Sequence, residues 1–275
     1  MRVYTIDLKE KYPFLQGGKL ECILMDYPMD REDPNWKRPA VVVVPGGGYG
    51  MVSKREGDPI AAEFFAQGFQ AFVLTYEVTP VAYPEQLLEI SAAVDYIKAN
   101  AKDLNVNADE VFAVGFSAGG HLAGNLAVEY QSVSQKAGVP LNAKPTAVGL
   151  AYPVISNLYG HVGSYGNLLA GYTEEAKVEL LKTLNLDQAV TKDTPPAYIW
   201  TTANDEIVPS INSLCYAEAL AKAGVEYELH VYPRGPHGGA TGKLDINPCY
   251  PELVDIRNWI ADCSRFFRMY TIEKM

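Results

Sequence analysis

The sequence predicts an α/β fold: a mostly parallel central sheet with helices on both faces and a short cap inserted near the strand ends. Three observations carry this expectation. Short β-branched runs alternate with amphipathic stretches of helix length, the order of successive strand–helix–strand units. The runs are almost continuously apolar, as strands covered on both faces are. The 275 residues, 48% hydrophobic and 20% charged, are enough for one large unit with a full core. No Pro/Gly/Ser-rich linker, composition break or internal repeat divides residues 1–275, so a single domain is expected.

Taken in order, Val3–Leu8 and Leu20–Met25 form an antiparallel pair at one edge, joined by a turn around Gln16-Gly17-Gly18. The parallel strands are Ala40–Val44, Ala71–Tyr76, Val111–Gly115, Ala147–Tyr152, Ala197–Thr202 and Tyr227–Tyr232. Between them, Leu87, Ile90, Val94, Ile97 and Ala101 recur at steps of three and four, the stripe of a helix packed on the sheet. Asp58-Pro59 supplies an N-cap and a first-turn proline for a helix through Gln67. Gly224 closes a helix that begins near Pro209-Ser210, and a last helix covers Val254–Arg268. Residues 153–192 interrupt the alternation with aromatic and glycine residues and a helical Glu174–Leu184. This insertion is expected to cap the strand ends; the competing reading is an ordinary crossover helix with long loops.

The formal charge of −10 repels polyanions at long range, which argues against nucleic acid or an anionic membrane as partner. Residues 1–7 carry no apolar run of signal-peptide length and no later stretch approaches a membrane span, so the expected compartment is the cytoplasm. Cys22, Cys215, Cys249 and Cys263 lie far apart without a Cys-x-x-Cys pair. That pattern indicates free thiols and neither a zinc site nor a redox motif.

One segment carries chemistry. Val111–Gly115 is a buried strand, Gly115-Phe116-Ser117-Ala118-Gly119 is Gly-x-Ser-x-Gly, and a helix starts at once. In that context the serine sits on a strained strand-to-helix turn, lifted above the sheet at a helix N-terminus whose dipole favours developing negative charge. Side chains at Gly115 and Gly119 would collide with the neighbouring strand or helix. A serine hydroxyl is a poor nucleophile, so a base must take its proton and an acid must orient that base.

Four histidines compete for the role of base. His121 lies one turn into the elbow helix, His230 falls inside a strand and His161 lies in the cap. His237 follows the last strand in a glycine-rich loop at a strand's carboxyl end, where such sheets place ligands. The acid is expected just past the preceding strand, and Asp205 stands there, with Glu206 as the alternative. Asn-Asp is also ordinary turn chemistry, but the order Ser117, Asp205, His237 favours the catalytic reading. The remaining need is an oxyanion hole from backbone amides. Pro45-Gly46-Gly47-Gly48-Tyr49-Gly50, after the Val41–Val44 run, supplies a loop whose glycines let the backbone approach a ligand. A phosphate cradle would need a helix directly after the glycines, whereas the next one starts near Pro59.

With Pro45-Gly46-Gly47-Gly48-Tyr49 and Gly115-Phe116-Ser117-Ala118-Gly119-Gly120-His121, the chain resembles the α/β-hydrolase superfamily over nearly its whole length. More narrowly it resembles the carbohydrate-esterase-like branch of acetyl-xylan and sugar-ester esterases. Pro45 stands where hormone-sensitive-lipase-like esterases and kynurenine formamidases begin the loop with His, a departure that lowers those two. The resemblance implies an oxyanion hole from Gly47, Gly48 and Ala118, hydrolysis through an acyl-enzyme, and no metal or organic cofactor.

The expected function is a serine esterase removing small acyl groups, acetyl first, from a small-molecule ester such as a sugar or xylo-oligosaccharide. Tyr49, Tyr152, Tyr159, Tyr165 and Tyr172 would offer ring faces for sugar stacking if they line the pocket, or else pack the cap. An exopeptidase or amidase of the same fold and a non-catalytic binding module are the alternatives. The first lacks a visible binder for an amino terminus, and the second does not need all three residues. Homo-oligomer formation, acyl length and the alcohol are left open by the sequence.

Overall fold

The computed structural model describes residues 1–26, 36–247, 256 and 258–271. One eight-stranded sheet runs through it in the order β1-β2-β4-β3-β5-β6-β7-β8. The strands are β1 (Arg2–Asp7), β2 (Lys19–Leu24), β3 (Arg38–Val44), β4 (Gln70–Thr75), β5 (Val106–Phe116), β6 (Val148–Ala151), β7 (Ala197–Thr202) and β8 (Tyr227–Tyr232). β2 pairs antiparallel with β1 and with β4, and all other neighbours are parallel. The chain runs outward from β3 to β4, then returns across β3 to β5, so the sheet changes direction between β3 and β5. A crevice opens beyond the strand ends at such a point, because the following connections leave to opposite sides.

The helices are α1 (Leu8–Lys11), α2 (Asp58–Ala66), α3 (Glu85–Ala99), α4 (Ala118–Glu129), α5 (Val133–Ala137), α6 (Val162–Leu168), α7 (Glu174–Leu184), α8 (Leu186–Ala189), α9 (Ile211–Ala223) and α10 (Trp259–Arg268). Strand side chains alternate between the two faces, and β3 shows it. Val42 and Val44 join the core under α3, α4 and α9, while Val41 and Val43 join the aromatic core with Phe64 of α2 and Trp259 and Phe267 of α10. In that second core Phe112 stacks on Phe267 with ring centroids 4.4 Å apart. Near-continuous valine in β3 is thus the signature of a strand that meets a core on each side.

Several boundaries move from the sequence expectation. The edge hairpin forms, but Asp7 caps a single helical turn at Leu8–Lys11, accepting from the Lys9 and Glu10 amides, so Leu8 ends outside the strand. Asp58 is the first residue of α2 and not its cap; Gly57 takes the cap position. Ala101 of the helical stripe lies beyond α3, buried near its end. Gly224 closes α9 in the left-handed conformation, as its residue type requires. In the last expected helix Trp259–Arg268 is helical, and Val254 and Asp255 lie outside the described residues. Cys22, Cys215 and Cys263 are free; Cys249 lies outside the described residues.

Residues 153–192 hold a short turn at Asn157–Tyr159 followed by α6, α7 and α8. They lie against the β3–α2 loop: Asn167 of α6 donates from Nδ2 to the Gly48 carbonyl at 2.9 Å. Among the described residues no helix is long and apolar enough to cross a membrane.

Candidate active site

At the end of β5 the backbone makes the turn that the glycine spacing foretold. Ser117 has φ 52° and ψ −117°, a region that costs a non-glycine residue on the order of 1–3 kcal/mol. What holds it there is close packing around its two glycines. A Cβ on Gly115 would lie 2.1 Å from the Gly119 carbonyl oxygen, and one on Gly119 would lie 2.2 Å from that of Val44 and 2.3 Å from that of Pro45. The elbow therefore presses directly on the end of β3, and only glycine allows the approach. Backbone bonds complete the turn, with Ser117 N–H donating to Ala151 and His121 N–H to Ser117.

The structure brings Ser117, His237 and Asp205 into one line. Nε2 of His237 is 2.8 Å from Ser117 Oγ, and Nδ1 is 2.7 Å from Asp205 Oδ2. The other carboxylate oxygen, Oδ1, accepts the Ile207 and Val208 amides at 2.9 Å each. A carboxylate can only accept, so Nδ1 carries the proton donated to it, and Nε2 is left with the lone pair that faces the serine hydroxyl. The Asp205 side chain is fully buried, while that of His237 keeps 15% of its surface exposed. The two loops that carry them are tied together: Thr202 Oγ1 donates to the Gly235 carbonyl at 2.7 Å, and Gly235 N–H donates to Asn204 Oδ1 at 3.0 Å. Glu206, the alternative acid, is exposed and lines a groove beside His237.

The glycine loop lies on the other side of Ser117. A Cβ on Gly46 would come within 3.0 Å of the Ser117 Cβ. Gly47 and Gly48 both have positive φ, 130° and 62°, and the Gly47 carbonyl accepts from Gly50 and Met51 to close a tight turn. Among the described residues the Gly47 and Gly48 amides make no hydrogen bond. Ala118 is buried as the first residue of α4.

The other histidines have separate employment. His121 is buried between Tyr49 Oη, 2.8 Å from its Nδ1, and the Leu184 carbonyl, 2.8 Å from its Nε2. Since Leu184 can only accept, Nε2–H donates there and Tyr49 donates to Nδ1. Burial pushes the His121 pKa down to about 4, against the pull of the Leu184 bond. His230 is 2.7 Å from Glu228 on β8. His161 comes closer to the site than its place in the cap suggested. Its Nδ1 is 2.8 Å from Ser164 Oγ, and its Cε1 and Ser164 Oγ would each lie 3.7 Å from a Cβ on Gly48. Partial burial, then the neighbouring His237, lower its pKa.

The tyrosines mostly contradict the ring-face expectation. Tyr49, Tyr152 and Tyr165 are 1%, 2% and 6% exposed, so they pack and cannot stack on a sugar. Tyr172 donates to the Tyr83 carbonyl, and Tyr159 faces a depression with Cys215 and Asp187. Tyr152 nevertheless belongs to the site from behind, its ring edge-on to His237 at 4.9 Å between centroids. The groove next to His237 has a volume of 380 Å³ and is lined by Asn204, Glu206, Ile207, Arg234, Gly235 and Pro236. No sequence signal marked Arg234 or Ile207 as lining residues; they follow from the loops' carboxyl-end position.

Sheet order, elbow and loop placement define an α/β-hydrolase. The chain belongs to the BD-FAE family of that fold, whose model matches residues 26–220, a span that contains Ser117 and Asp205 and stops before His237. It is similar to endo-1,4-beta-xylanase B of Butyrivibrio fibrisolvens, 36% identical over 74% of this chain and 32% of that one. It is also similar to an acetylxylan esterase of Xylanibacter ruminicola, 31% identical over 88% of this chain and 48% of that one. The chain thus spans half or less of these two relatives' lengths. The solved acetyl ester-xyloside bifunctional hydrolase of Caldicellulosiruptor lactoaceticus superposes with a TM-score of 0.81 at 30% identity, covering 98% of this chain and 96% of the other.

Proposed function

We propose that the chain is a serine esterase that removes small acyl groups, acetyl above all, from sugars or xylo-oligosaccharides through an acyl-enzyme on Ser117. It is a carboxylic ester hydrolase, the class of its acetylxylan esterase relative and its acetyl ester-xyloside hydrolase neighbour. The observation that carries the mechanism is the hydrogen-bonded line from Ser117 through His237 to Asp205. His237 Nε2 takes the hydroxyl proton as Ser117 Oγ attacks the ester carbonyl, and Asp205 stabilises the imidazolium that forms. The amides of Gly47, Gly48 and Ala118 receive the charge on the carbonyl oxygen. His237 then gives its proton to the leaving alcohol, and a water activated by the same nitrogen releases the acid.

Two features support a small acyl group and a polar alcohol. Beside Gly48 of the oxyanion loop stand the polar groups of the bonded His161–Ser164 pair, where a long acyl chain would need aliphatic walls. On the other side the groove offers Asn204, Glu206 and Arg234 beside the apolar Ile207 and Pro236, so these three polar side chains can hold hydroxyl groups by hydrogen bonds. Each buried methylene of a long acyl chain would contribute about 0.8 kcal/mol where a tunnel existed, so kcat/KM across acetyl to decanoyl p-nitrophenyl esters discriminates. The expected profile falls with length, and acetylated xylo-oligosaccharides are cleaved. A maximum at octanoyl or longer contradicts the small-acyl reading.

A further inference from the structure

Glu56 stands in the short turn Lys54–Glu56 after the glycine loop and is 4% exposed. Its Oε2 accepts the Gly46 amide at 2.8 Å, and its Oε1 accepts the Tyr152 hydroxyl at 2.8 Å. Tyr152 Oη in turn accepts the Ala240 amide at 3.0 Å, three residues past His237, and the Tyr152 ring packs edge-on to the His237 ring. Arg55 makes a parallel link: its Nη1 donates to Asn247 Oδ1 at 3.0 Å, and Asn247 Nδ2 donates to the Gly239 carbonyl at 2.9 Å.

We propose that Glu56 is a positioning residue of the catalytic site, which holds the oxyanion loop and the histidine loop in register through Tyr152. The two loops come from opposite ends of the chain and share no sheet bond beyond the strand ends, yet attack requires amides and imidazole to be placed to fractions of an ångström around one carbonyl. A buried carboxylate is costly unless its oxygens are satisfied, and both of these are spent on the two loops. Burial beside Glu56 holds the Tyr152 phenol well above its usual pKa, so its proton stays available for the carboxylate. Of the other groups nearby, Tyr76 donates to the Pro45 carbonyl at 2.8 Å and steadies the same loop.

The proposal rests on the Ser117–His237–Asp205 reading, and its test separates the two. In Glu56→Gln the amide oxygen can still accept Gly46 N–H, but the NH2 group meets Tyr152 Oη, which already accepts from Ala240, and the phenol proton loses its acceptor. Tyr152→Phe removes the same link from the other side. Wild type, both variants and the double variant are compared by fluorophosphonate labelling of Ser117, thermal melting, and kcat and KM on p-nitrophenyl acetate. Each single change is expected to lower kcat about tenfold with KM within about twofold, and the double change to cost no more than about the worse single, because both cut one chain of contacts. Losses that multiply, losses confined to KM, or a kcat within about twofold of wild type in both singles would overturn the role. If Glu56→Gln does not fold, Tyr152→Phe decides by the same kcat criterion. A wild type that does not label at Ser117 overturns the triad reading and this role together, whereas labelling with unaltered kcat in the variants removes Glu56 alone.

Discussion

Asp205→Asn changes one atom and, by the geometry, reverses a proton. The Oδ1 that accepts the Ile207 and Val208 amides would become the amide oxygen, since only oxygen can accept both donors. The new NH2 then occupies the Oδ2 position, 2.7 Å from His237 Nδ1. Two donors cannot face each other, so Nδ1 becomes the acceptor and Nε2 carries the proton. The imidazole now points N–H at Ser117 Oγ and cannot serve as its base. The loop conformation survives because its two backbone bonds do, so the loss is expected in turnover and not in folding. A wrong tautomer of this kind costs about 10⁴-fold in kcat, or about 5 kcal/mol of barrier. Steady-state kcat on p-nitrophenyl acetate, with a melting curve alongside, measures it, and because this ester has no sugar hydroxyl for Glu206 to hold, Glu206→Gln serves as the comparison at close to wild-type rate. An Asp205→Asn variant within tenfold of wild type, or a Glu206→Gln variant that is the more damaged, would refute the assignment of the acid.

Gly119→Ala places a methyl against the carbonyls of Val44 and Pro45; the overpacking is expected to cost about 3 kcal/mol and lower Tm by roughly 6–12 °C, and an unchanged melt would contradict the tight elbow. His121 gives a pH signature: burial holds its folded pKa at about 4, below the ordinary histidine value of about 6.5, so the unfolded chain binds the extra proton over that window. Stability is therefore retained above about pH 6.5 and is lost as pH falls towards about 4, by up to about 1.4 kcal/mol per pH unit. Denaturant midpoints between those limits should fall less steeply in His121→Gln than in wild type, and equal slopes would show that His121 is not a buried neutral group.

The elements legible in the sequence were those whose signal is local. β7 and β8 begin and end where the apolar runs do, and Gly224 ends α9 because one residue must take positive φ there. The elbow was legible because Gly-x-Ser-x-Gly needs both glycines for contacts that involve its own helix and the adjacent strand. Asp58 misled by one position because Gly57 already supplied the non-helical cap geometry. The tyrosines were left open between two readings for a deeper reason: a ring is equally suited to a pocket wall and to a core, and only the burial of Tyr49, Tyr152 and Tyr165 decides for packing. Glu56 carries no local signal at all. Its partner Tyr152 is 96 residues away, and the next link, Ala240, another 88. A contact chain of that kind exists only after the sheet has brought three loops to the same end.

Ser117 as the acyl acceptor is the claim on which the rest depends. Rapid mixing with p-nitrophenyl acetate, acid quenching and peptide mass analysis tests it most directly. The expected result is one acetyl group on the peptide that carries Ser117, formed in the burst and absent from Ser117→Ala, whose kcat falls by several orders of magnitude, as on removal of any triad member. A Ser117→Ala protein that turns over ester near the wild-type rate, or an acetyl group trapped on another residue, would contradict it.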